Sequence, residues 1–367
     1  MPLPETVLFV GGFKSVSADG SYGGQVYACR SLIESPLKDS FHFILFDSTA
    51  DTVKPPPVYQ RFLRAITRLV KFMGLLSFRK INSVLIFSSG GFSFYEKGMM
   101  AIMAKLFGKR VVLAPRSGLI QQHVMSSKFF HRYLNFVFQK CDVIICQGME
   151  WKMFFQRFTS VKETRLVVQP NWIDITKYSF AEKELHAKCR LLFIGQFHPY
   201  KGLHDLLEAM LLLNDIDYQL DVYGGGEART SYEHFVQLNG LGEKIFFKGW
   251  ANEDQKAIAL KWADILVLPS HAEGMPNVIL EAMASGVTVV ATRVGGVPSL
   301  IEQGVTGLMV EPHAERQLSD NIRNLASHPE MRQQLSVQAL AKIKRENSIE
   351  AMVNRFGKIL NGYGEVN

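Results

Sequence analysis

The sequence predicts an α/β protein made of two Rossmann-like, doubly wound domains that face each other across a cleft. The chain has 367 residues, of which 47% are hydrophobic and 20% charged, which suits two domains of about 150 residues each. Short apolar runs alternate with helical patterns through both halves, as in parallel sheets covered by helices. Residues 1–180 hold 23 basic and 11 acidic residues, whereas the remainder holds 18 and 23. The two halves are therefore expected to bind different partners.

The first half, predicted as a domain over residues 1–178, contains six strand candidates. The predicted strands are Thr6–Val10, Phe41–Phe46, Ser83–Phe87, Arg110–Ala114, Val143–Cys146 and Leu166–Val168. Helical patterns fill the intervals, including Gln25–Glu34, Gly98–Phe107 and Lys128–Phe138. Tyr22-Gly23-Gly24-Gln25 introduces the first of them, and a glycine pair lets a helix N-terminus approach a phosphate closely. A plain flexible loop explains the same glycines.

The second half repeats this alternation over a domain predicted at residues 186–347. Its strands are predicted at Arg190–Ile194, Tyr218–Tyr223, Ile245–Lys248, Ile265–Leu268, Val287–Ala291 and Gly307–Val310. Its clearest helices are Leu203–Asn214 and Asn277–Ser285, the second stopped by Gly286. The polar segment Tyr178–Lys188 is expected to hold the boundary between the two domains.

Composition and targeting signals favour a cytoplasmic protein. The four cysteines form no CxxC pair, which favours a reducing compartment over a disulfide framework. The N-terminus lacks the basic and apolar regions of a signal peptide, and no apolar run reaches the roughly 20 residues that span a bilayer. No aromatic-rich motif or zinc knuckle supports nucleic acid as a partner of the basic half.

The most informative motif runs from Pro269 to Gly286, where a buried strand ends in a Gly/Pro loop and a helix follows. Ligands of open α/β sheets bind at such carboxyl ends of strands. Glu273 lies on the loop, and Glu281 is placed eight residues later, about two turns into the helix, so both carboxylates can face one elongated ligand. Carboxylates of this type accept hydrogen bonds from sugar hydroxyls. A solvated loop residue and a surface helix residue are the alternative.

Several further motifs follow in a fixed order over about residues 166–312. They are Leu192–Gln196 with Lys201-Gly202-Leu203, Tyr223–Glu227, Phe247-Lys248-Gly249, Ala263-Asp264 with Leu266–Ser270, and Val294–Pro298 with Gly304–Leu308. Together with Glu273–Glu281 they resemble the donor-site pattern of glycosyltransferase family 4, the glycosyl transferases group 1. These are retaining enzymes with the GT-B fold.

The resemblance implies a role for each matching residue of the second half. Lys201 is expected to neutralise the donor diphosphate, Glu281 to bind the nucleotide ribose and Glu273 to contact donor sugar hydroxyls as a catalytic-site residue. The neighbouring backbone is expected to line the sugar pocket, and Gln196 is a further donor-binding position. In the first half, Gly23 and Gly24 are also expected to bind the donor, because the family has a similar glycine pair. The lining residues are Gly274, Met275, Pro276, Asn277 and Val278. No Asp-x-Asp cluster is present, so neither a metal nor a cofactor is expected.

Two positions depart from the family pattern. Gln196 stands where the family commonly has arginine, and an amide cannot supply that charge. His198 is a possible substitute, although a turn residue before Pro199 is the favoured interpretation. Arg116-Ser117-Gly118 replaces a histidine-glycine pair and resembles a Pro-Arg-Gly variant of polysaccharide-assembling members. Arg116 is therefore expected to contact a donor or acceptor phosphate as a second catalytic-site residue, a salt-bridged strand end being the alternative.

A basic amphipathic segment, Tyr59–Lys80, lies between the second and third strands. Apolar residues recur at three- and four-residue steps, so an anionic membrane surface is one expected partner. An ordinary amphipathic helix with a solvated basic face is the alternative. The membrane interpretation predicts that Arg61, Arg64 and Arg68 support binding to anionic vesicles.

The sequence thus predicts a metal-independent, retaining hexosyltransferase. It would move a sugar from a UDP- or GDP-linked donor to a glycan or lipid-linked acceptor, in cell-surface polysaccharide or lipopolysaccharide synthesis. The resemblance also implies that the C-terminal helix, residues 348–367, packs back on the first domain. The alternatives are a nucleotide-sugar epimerase on the same fold and a non-catalytic binding subunit. The absence of a GxGxxG motif after the first strand disfavours a Rossmann oxidoreductase.

Overall fold

The computed structural model describes residues 4–14, 24–49, 57–180 and 188–362. The chain divides into two compact units, Met1–Asn171 with Ile349–Asn367, and Trp172–Ser348. Each unit contains one six-stranded sheet, and the strands of both sheets pair in parallel. The predicted class, α/β with two parallel sheets, is confirmed.

The first unit alternates strands and helices in the predicted order. Its elements are β1 (Glu5–Gly11), α1 (Gly24–Glu34), α2 (Leu37–Ser40), β2 (Phe41–Asp47), α3 (Val58–Phe78), β3 (Ser83–Ser88), α4 (Phe92–Leu106), β4 (Arg110–Pro115), α5 (Leu119–Ser126), α6 (Lys128–Lys140), β5 (Val143–Cys146), α7 (Met149–Phe158) and β6 (Leu166–Val168). The strand order is β2-β1-β3-β4-β5-β6. Strand β3 is buried along its whole length, and β4 along all but its first residue. Such burial is typical of parallel strands with helices on both faces of the sheet.

The second unit has the strand order β12-β11-β10-β7-β8-β9. Its elements are β7 (Cys189–Ile194), α8 (Leu203–Leu211), β8 (Tyr218–Tyr223), α9 (Arg229–Leu238), β9 (Ile245–Gly249), α10 (Glu253–Trp262), β10 (Ile265–Leu268), α11 (Asn277–Ala284), β11 (Thr288–Thr292), α12 (Val297–Leu300), β12 (Leu308–Val310), α13 (Glu315–Ser327) and α14 (Pro329–Glu346). Strand β7 lies between β8 and β10. After β7 the sheet grows on one side through β8 and β9, and the chain then returns to add β10, β11 and β12 on the other side. The β7–β10 border is therefore the topological switch point at which such sheets bind ligands.

The last described helix, α15 (Ile349–Leu360), belongs to the first unit. Phe356 is fully buried, and its ring lies 6.3 Å from that of Phe87 on β3. The Arg110 guanidinium donates hydrogen bonds to the carbonyl oxygens of Ile359 and Leu360, at 2.7 and 3.0 Å. These bonds satisfy carbonyls at the helix end that have no partner within the helix.

Helix α3 buries one face and leaves a long apolar stripe on the other. Ala65, Phe72 and Leu76 face the core. The exposed large hydrophobic side chains are Val58, Tyr59, Phe62, Leu63, Ile66, Val70, Met73 and Phe78. Exposed apolar patches of this extent indicate an interaction surface. In the described part of the chain, no helix is both long enough and apolar enough to cross a membrane.

Candidate functional site

The candidate site lies where β7 and β10 end side by side. Gly195-Gln196 follows β7, and the loop of residues 269–276 follows β10 before α11 begins at Asn277. Glu281 is the fifth residue of α11, so it lies about one turn into the helix and not two as predicted. The switch point thus places Glu273 next to the turn that carries Lys201.

A close backbone approach joins the lysine turn to the glutamate loop. Gly202 has a φ of +67°, and a Cβ atom there would lie 1.9 Å from the carbonyl oxygen of Pro269. The backbone N–H of His271 donates to the carbonyl oxygen of Tyr200 at 2.7 Å. Only glycine tolerates both this φ and this contact without strain, so Gly202 lets the two segments pack directly against each other.

A second glycine approach supports the other side of the loop. Gly295 has a φ of +53°, and a Cβ atom there would lie 1.8 Å from the carbonyl oxygen of Glu273. The backbone N–H of Gly296 donates to the carbonyl oxygen of Gly274 at 2.7 Å. The hydroxyl of Thr292 donates to the carbonyl oxygen of Ser270. The loop is therefore fixed from both flanks by backbone contacts.

Lys201 and Glu273, both predicted as donor-site residues, are in direct contact. The Lys201 ammonium donates to Glu273 Oε1 at 2.7 Å, and the Ser270 hydroxyl donates to the same oxygen at 2.7 Å. The Glu273 side chain is 9% exposed and that of Lys201 is 20% exposed. A charged pair this far from solvent is held by good geometry and additional hydrogen bonds. The pair places a cation and a carboxylate at one end of the sheet.

Glu281 has a different partner, Lys256 on α10, which sequence inspection missed. The Lys256 ammonium donates to Glu281 Oε1 at 2.8 Å and to Glu253 Oε1 at 3.1 Å. Burial lowers the pKa of Lys256, but the two carboxylates outweigh this effect and raise it above its ordinary value. Glu281 is buried, which excludes the interpretation as a solvated surface residue.

The remaining predicted donor positions of the second unit differ in exposure. Met275 and Pro276 are buried, whereas Gly274, Asn277 and Val278 are partly exposed. Gln196 and His198 are exposed, and the His198 ring packs 4.2 Å from that of Tyr200. His198 directly precedes the short helical turn Pro199–Lys201.

The first unit holds Arg116 at the end of β4. Its guanidinium donates to Asn171 Oδ1 at 2.5 Å and stacks 4.7 Å from the ring of Phe87. Burial lowers the pKa of Arg116 to about 10. The contacts of Arg116 thus include an amide oxygen and an aromatic ring. Gly24 is the first residue of α1, and Gly23 lies outside the described residues.

A second buried cation, Lys97 on α4, was not predicted as a site residue. Its ammonium donates to the Ser93 hydroxyl at 2.8 Å, and burial lowers its pKa. The charges of Lys97 and Arg116 both act on the thiol of Cys29, whose pKa burial nevertheless raises to about 11. Lys97 and Arg116 therefore both lie near one buried thiol of the first unit.

Comparison with known proteins extends these observations. Residues 174–342 match the model of the Glycosyl transferases group 1 family. An uncharacterised glycosyltransferase of Methanocaldococcus jannaschii is 27% identical over 325 residues, which are 85% of this chain and 87% of that protein. The D-inositol 3-phosphate glycosyltransferase of Corynebacterium diphtheriae is 32% identical over 42% of this chain and 38% of that protein.

Two solved structures share the fold over almost the whole chain. Sucrose-phosphate synthase from Thermosynechococcus elongatus has a TM-score of 0.82 at 18% identity, over 97% of this chain and 98% of that one. Anabaena HepE in complex with UDP-glucose has a TM-score of 0.75 at 17% identity, over 97% and 99%. Residues 174–342 thus match the Glycosyl transferases group 1 family, and the chain shares the GT-B fold of solved glycosyltransferases.

Proposed function

We propose that this chain is a retaining glycosyltransferase that moves a hexose from a nucleotide-diphosphate sugar to a glycan or lipid-linked acceptor. The contact between Lys201 and Glu273 at the switch point carries the proposal. An ammonium has three N–H donors, so Lys201 can hold Glu273 with one and a diphosphate oxygen with another. The Ser270 and Lys201 bonds both fall on Oε1 of Glu273, which leaves Oε2 as the atom to accept hydrogen bonds from sugar hydroxyls.

Glu281 supports the nucleotide side of the proposal. Its carboxylate, oriented by Lys256 at 2.8 Å, is suited to accept hydrogen bonds from the two ribose hydroxyls. The HepE structures contain UDP and UDP-glucose, which makes uridine nucleotides the first ligands to test. Guanosine nucleotides are the second.

The proposed chemistry follows from the charge that develops on the leaving group. The bond between the anomeric carbon and the phosphate oxygen breaks, and its electron pair stays on that oxygen. Lys201 and the backbone N–H groups of the 274–277 segment, which Pro276 lacks, stabilise this negative charge. The acceptor hydroxyl attacks from the same face and passes its proton to a phosphate oxygen, so configuration is retained. The carboxylate of Glu273 holds the donor sugar and forms no covalent intermediate.

We assign acceptor binding to the first unit. Arg116 and Lys97 are buried cations there, and a phosphate-bearing acceptor offers the charge that complements them. Cell-surface polysaccharide or lipopolysaccharide synthesis is the class of pathway that uses such acceptors. The chain needs neither metal nor cofactor for this reaction in our proposal.

Calorimetry tests the nucleotide assignment. A thermal-shift screen with UDP, GDP and their sugars first identifies the nucleotide. Glu281→Ala is then expected to weaken its binding about 10- to 150-fold, because hydrogen bonds to a charged group are worth about 1.5–3 kcal/mol. Glu243→Ala, at an exposed glutamate of the same unit, is the matched control. Unchanged affinity in a folded Glu281→Ala protein would contradict the assignment.

A second assay tests the reaction class. The wild-type chain is incubated with the identified donor, with and without a panel of glycan and lipid-phosphate acceptors. Acceptor-dependent release of the nucleotide diphosphate, with an α-linked product from an α-linked donor, is expected. Epimerised donor formed in the absence of acceptor would favour the epimerase, and binding without either product would favour the non-catalytic subunit.

We further propose that the exposed stripe of α3 rests on an anionic membrane. Arg68, one of three arginines first expected to bind lipid, is instead paired with buried Glu96, with contacts of 2.5 and 2.9 Å. Arg61 packs 4.7 Å from the Phe92 ring. Exposed Phe62 and Leu63 are therefore better probes than these arginines.

Vesicle sedimentation tests the membrane proposal. Phe62→Glu with Leu63→Glu is expected to abolish binding to phosphatidylglycerol vesicles and leave binding of the nucleotide unchanged. Leu238→Glu, at an exposed leucine of the second unit, is the control. Equal sedimentation of the wild type, the double variant and Leu238→Glu would overturn the proposal.

A further inference from the structure

Three metal-ligating side chains of the second unit meet next to the donor loop. Asp205 lies in the first turn of α8, His271 on the loop after β10, and His313 on the loop after β12. His271 Nε2 is 2.8 Å from Asp205 Oδ2, and His313 Nδ1 is 3.4 Å from the same oxygen. The two imidazole rings lie 3.9 Å apart.

The distances among these atoms fit a single divalent ion. All three ligand atoms lie within 4.8 Å of one another. Zinc binds histidine nitrogen at about 2.0–2.1 Å and carboxylate oxygen at about 2.0–2.2 Å, in tetrahedral geometry. Two such ligands on one ion are therefore about 3.4 Å apart, close to the observed separations. Two imidazoles and one carboxylate with an open fourth position form a donor set that binds first-row transition metals.

The exposure of the three groups favours entry of an ion from solvent. The Asp205 side chain is 10% exposed and that of His271 21%, whereas that of His313 is 67% exposed. Two ligands are thus held inside the protein, and the third can close over an ion that enters. His313 is also the one non-glycine residue of the described chain with a positive φ, 59°. This conformation is strained in a non-glycine residue, and metal ligation is one way to compensate the strain.

We propose that Asp205, His271 and His313 bind a divalent transition-metal ion, with Zn²⁺ as the reference ion. Asp205 is four residues after Lys201, and His271 is two residues before Glu273. The ion therefore links the two segments that carry the donor-site pair, and adds a third segment through His313. Its role is to hold these segments together, outside the transfer chemistry itself.

Zinc titration of the untagged, chelator-treated chain tests the site. Calorimetry at pH 7.5 is expected to show one equivalent of Zn²⁺ bound, with a rise in the midpoint of thermal unfolding. His313→Ala is expected to weaken Zn²⁺ binding at least tenfold and to remove the rise in the unfolding midpoint. Because the His313 side chain is exposed, the substitution should leave the fold intact. His204→Ala, at an exposed histidine beside Asp205 that pairs with Glu208, is the matched control and should bind as the wild type does.

A conservative variant and pH separate ligation from a plain hydrogen-bonded cluster. Asp205→Asn keeps the shape of the side chain and removes the charged ligand, so it should also lose Zn²⁺. Binding should weaken as the pH falls, because protons compete with the metal ion for its ligands. Equal Zn²⁺ affinity and stoichiometry in the wild type, His313→Ala and Asp205→Asn would overturn the proposal, as would the absence of binding to the wild type.

Discussion

Loss of the Lys256 ammonium should destabilise the second unit more than loss of the Glu281 carboxylate that it contacts. Lys256→Met keeps the apolar stem of the side chain and leaves Glu281, 7% exposed, without its ammonium partner. Removing one partner of a buried ion pair costs about 3–5 kcal/mol, because the remaining charge stays desolvated. Glu281→Gln leaves Lys256 in contact with half-exposed Glu253 at 3.1 Å. That change should cost only about 1–2 kcal/mol.

Hydrogen exchange measures this asymmetry locally. Peptides from α10 and α11 report the free energy of opening of these helices, which avoids assuming that a chain of two units unfolds in one step. The double variant should lose less than the sum of the two single losses, with a coupling of about 1–3 kcal/mol. Equal losses in the two single variants, or full additivity in the double variant, would refute the reasoning.

Three further outcomes follow from the same structure. Gly202→Ala should lower the free energy of unfolding by about 1–3 kcal/mol more than Gly240→Ala. Both glycines have a φ of +67°, but only at Gly202 would a Cβ atom meet the backbone of Pro269. Urea unfolding of the two variants measures the difference. The ion pairs of Lys256 should stabilise the folded state fully at pH values below about 10.4, the pKa of lysine in the unfolded chain. This stabilisation should disappear as the pH rises through the raised pKa of Lys256 in the folded state. Urea midpoints of the wild type should therefore fall more steeply above about pH 10.4 than those of Lys256→Met. Burial raises the pKa of all four cysteine thiols, which are Cys29, Cys141, Cys146 and Cys189. A thiol reagent at pH 8 should therefore label them only after denaturation.

The strands were predictable because burial on both faces of a parallel sheet demands continuous apolar runs. Val143–Cys146, Leu166–Val168, Tyr218–Tyr223 and Ile265–Leu268 have the predicted bounds. Helix ends were less accurate: α4 begins at Phe92, earlier than the predicted Gly98. A helix can start wherever its first turn is tolerated, and the Gly90-Gly91 turn gave no clear capping signal.

Side-chain partners over long sequence distances were not predictable. Lys256 meets Glu281 from another helix, and Asn171 meets Arg116 from beyond β6. The sequence predicted that Arg68 supports binding to anionic vesicles, whereas the structure pairs it with Glu96. A charged residue on an amphipathic helix carries no mark of whether its partner is solvent, lipid or a buried carboxylate. Such pairs depend on which helices the fold places side by side.

Gly202 and Gly295 explain why sequence motifs identify the family of the second unit but not its substrate. Gly202 and Gly295 bring backbone segments within distances that a Cβ atom would forbid, so these positions follow from the shape of the loop itself. Any ligand held by this loop requires the same glycines. In the proposed reaction, the sugar and the acceptor are instead selected by side chains such as Gln196 and Arg116, which lie outside these glycine contacts. Gln196 is exposed, so a glutamine in place of the family's arginine removes a charge and leaves the backbone of the site intact. Under the same proposal, the positive charge offered to a diphosphate rests chiefly on Lys201.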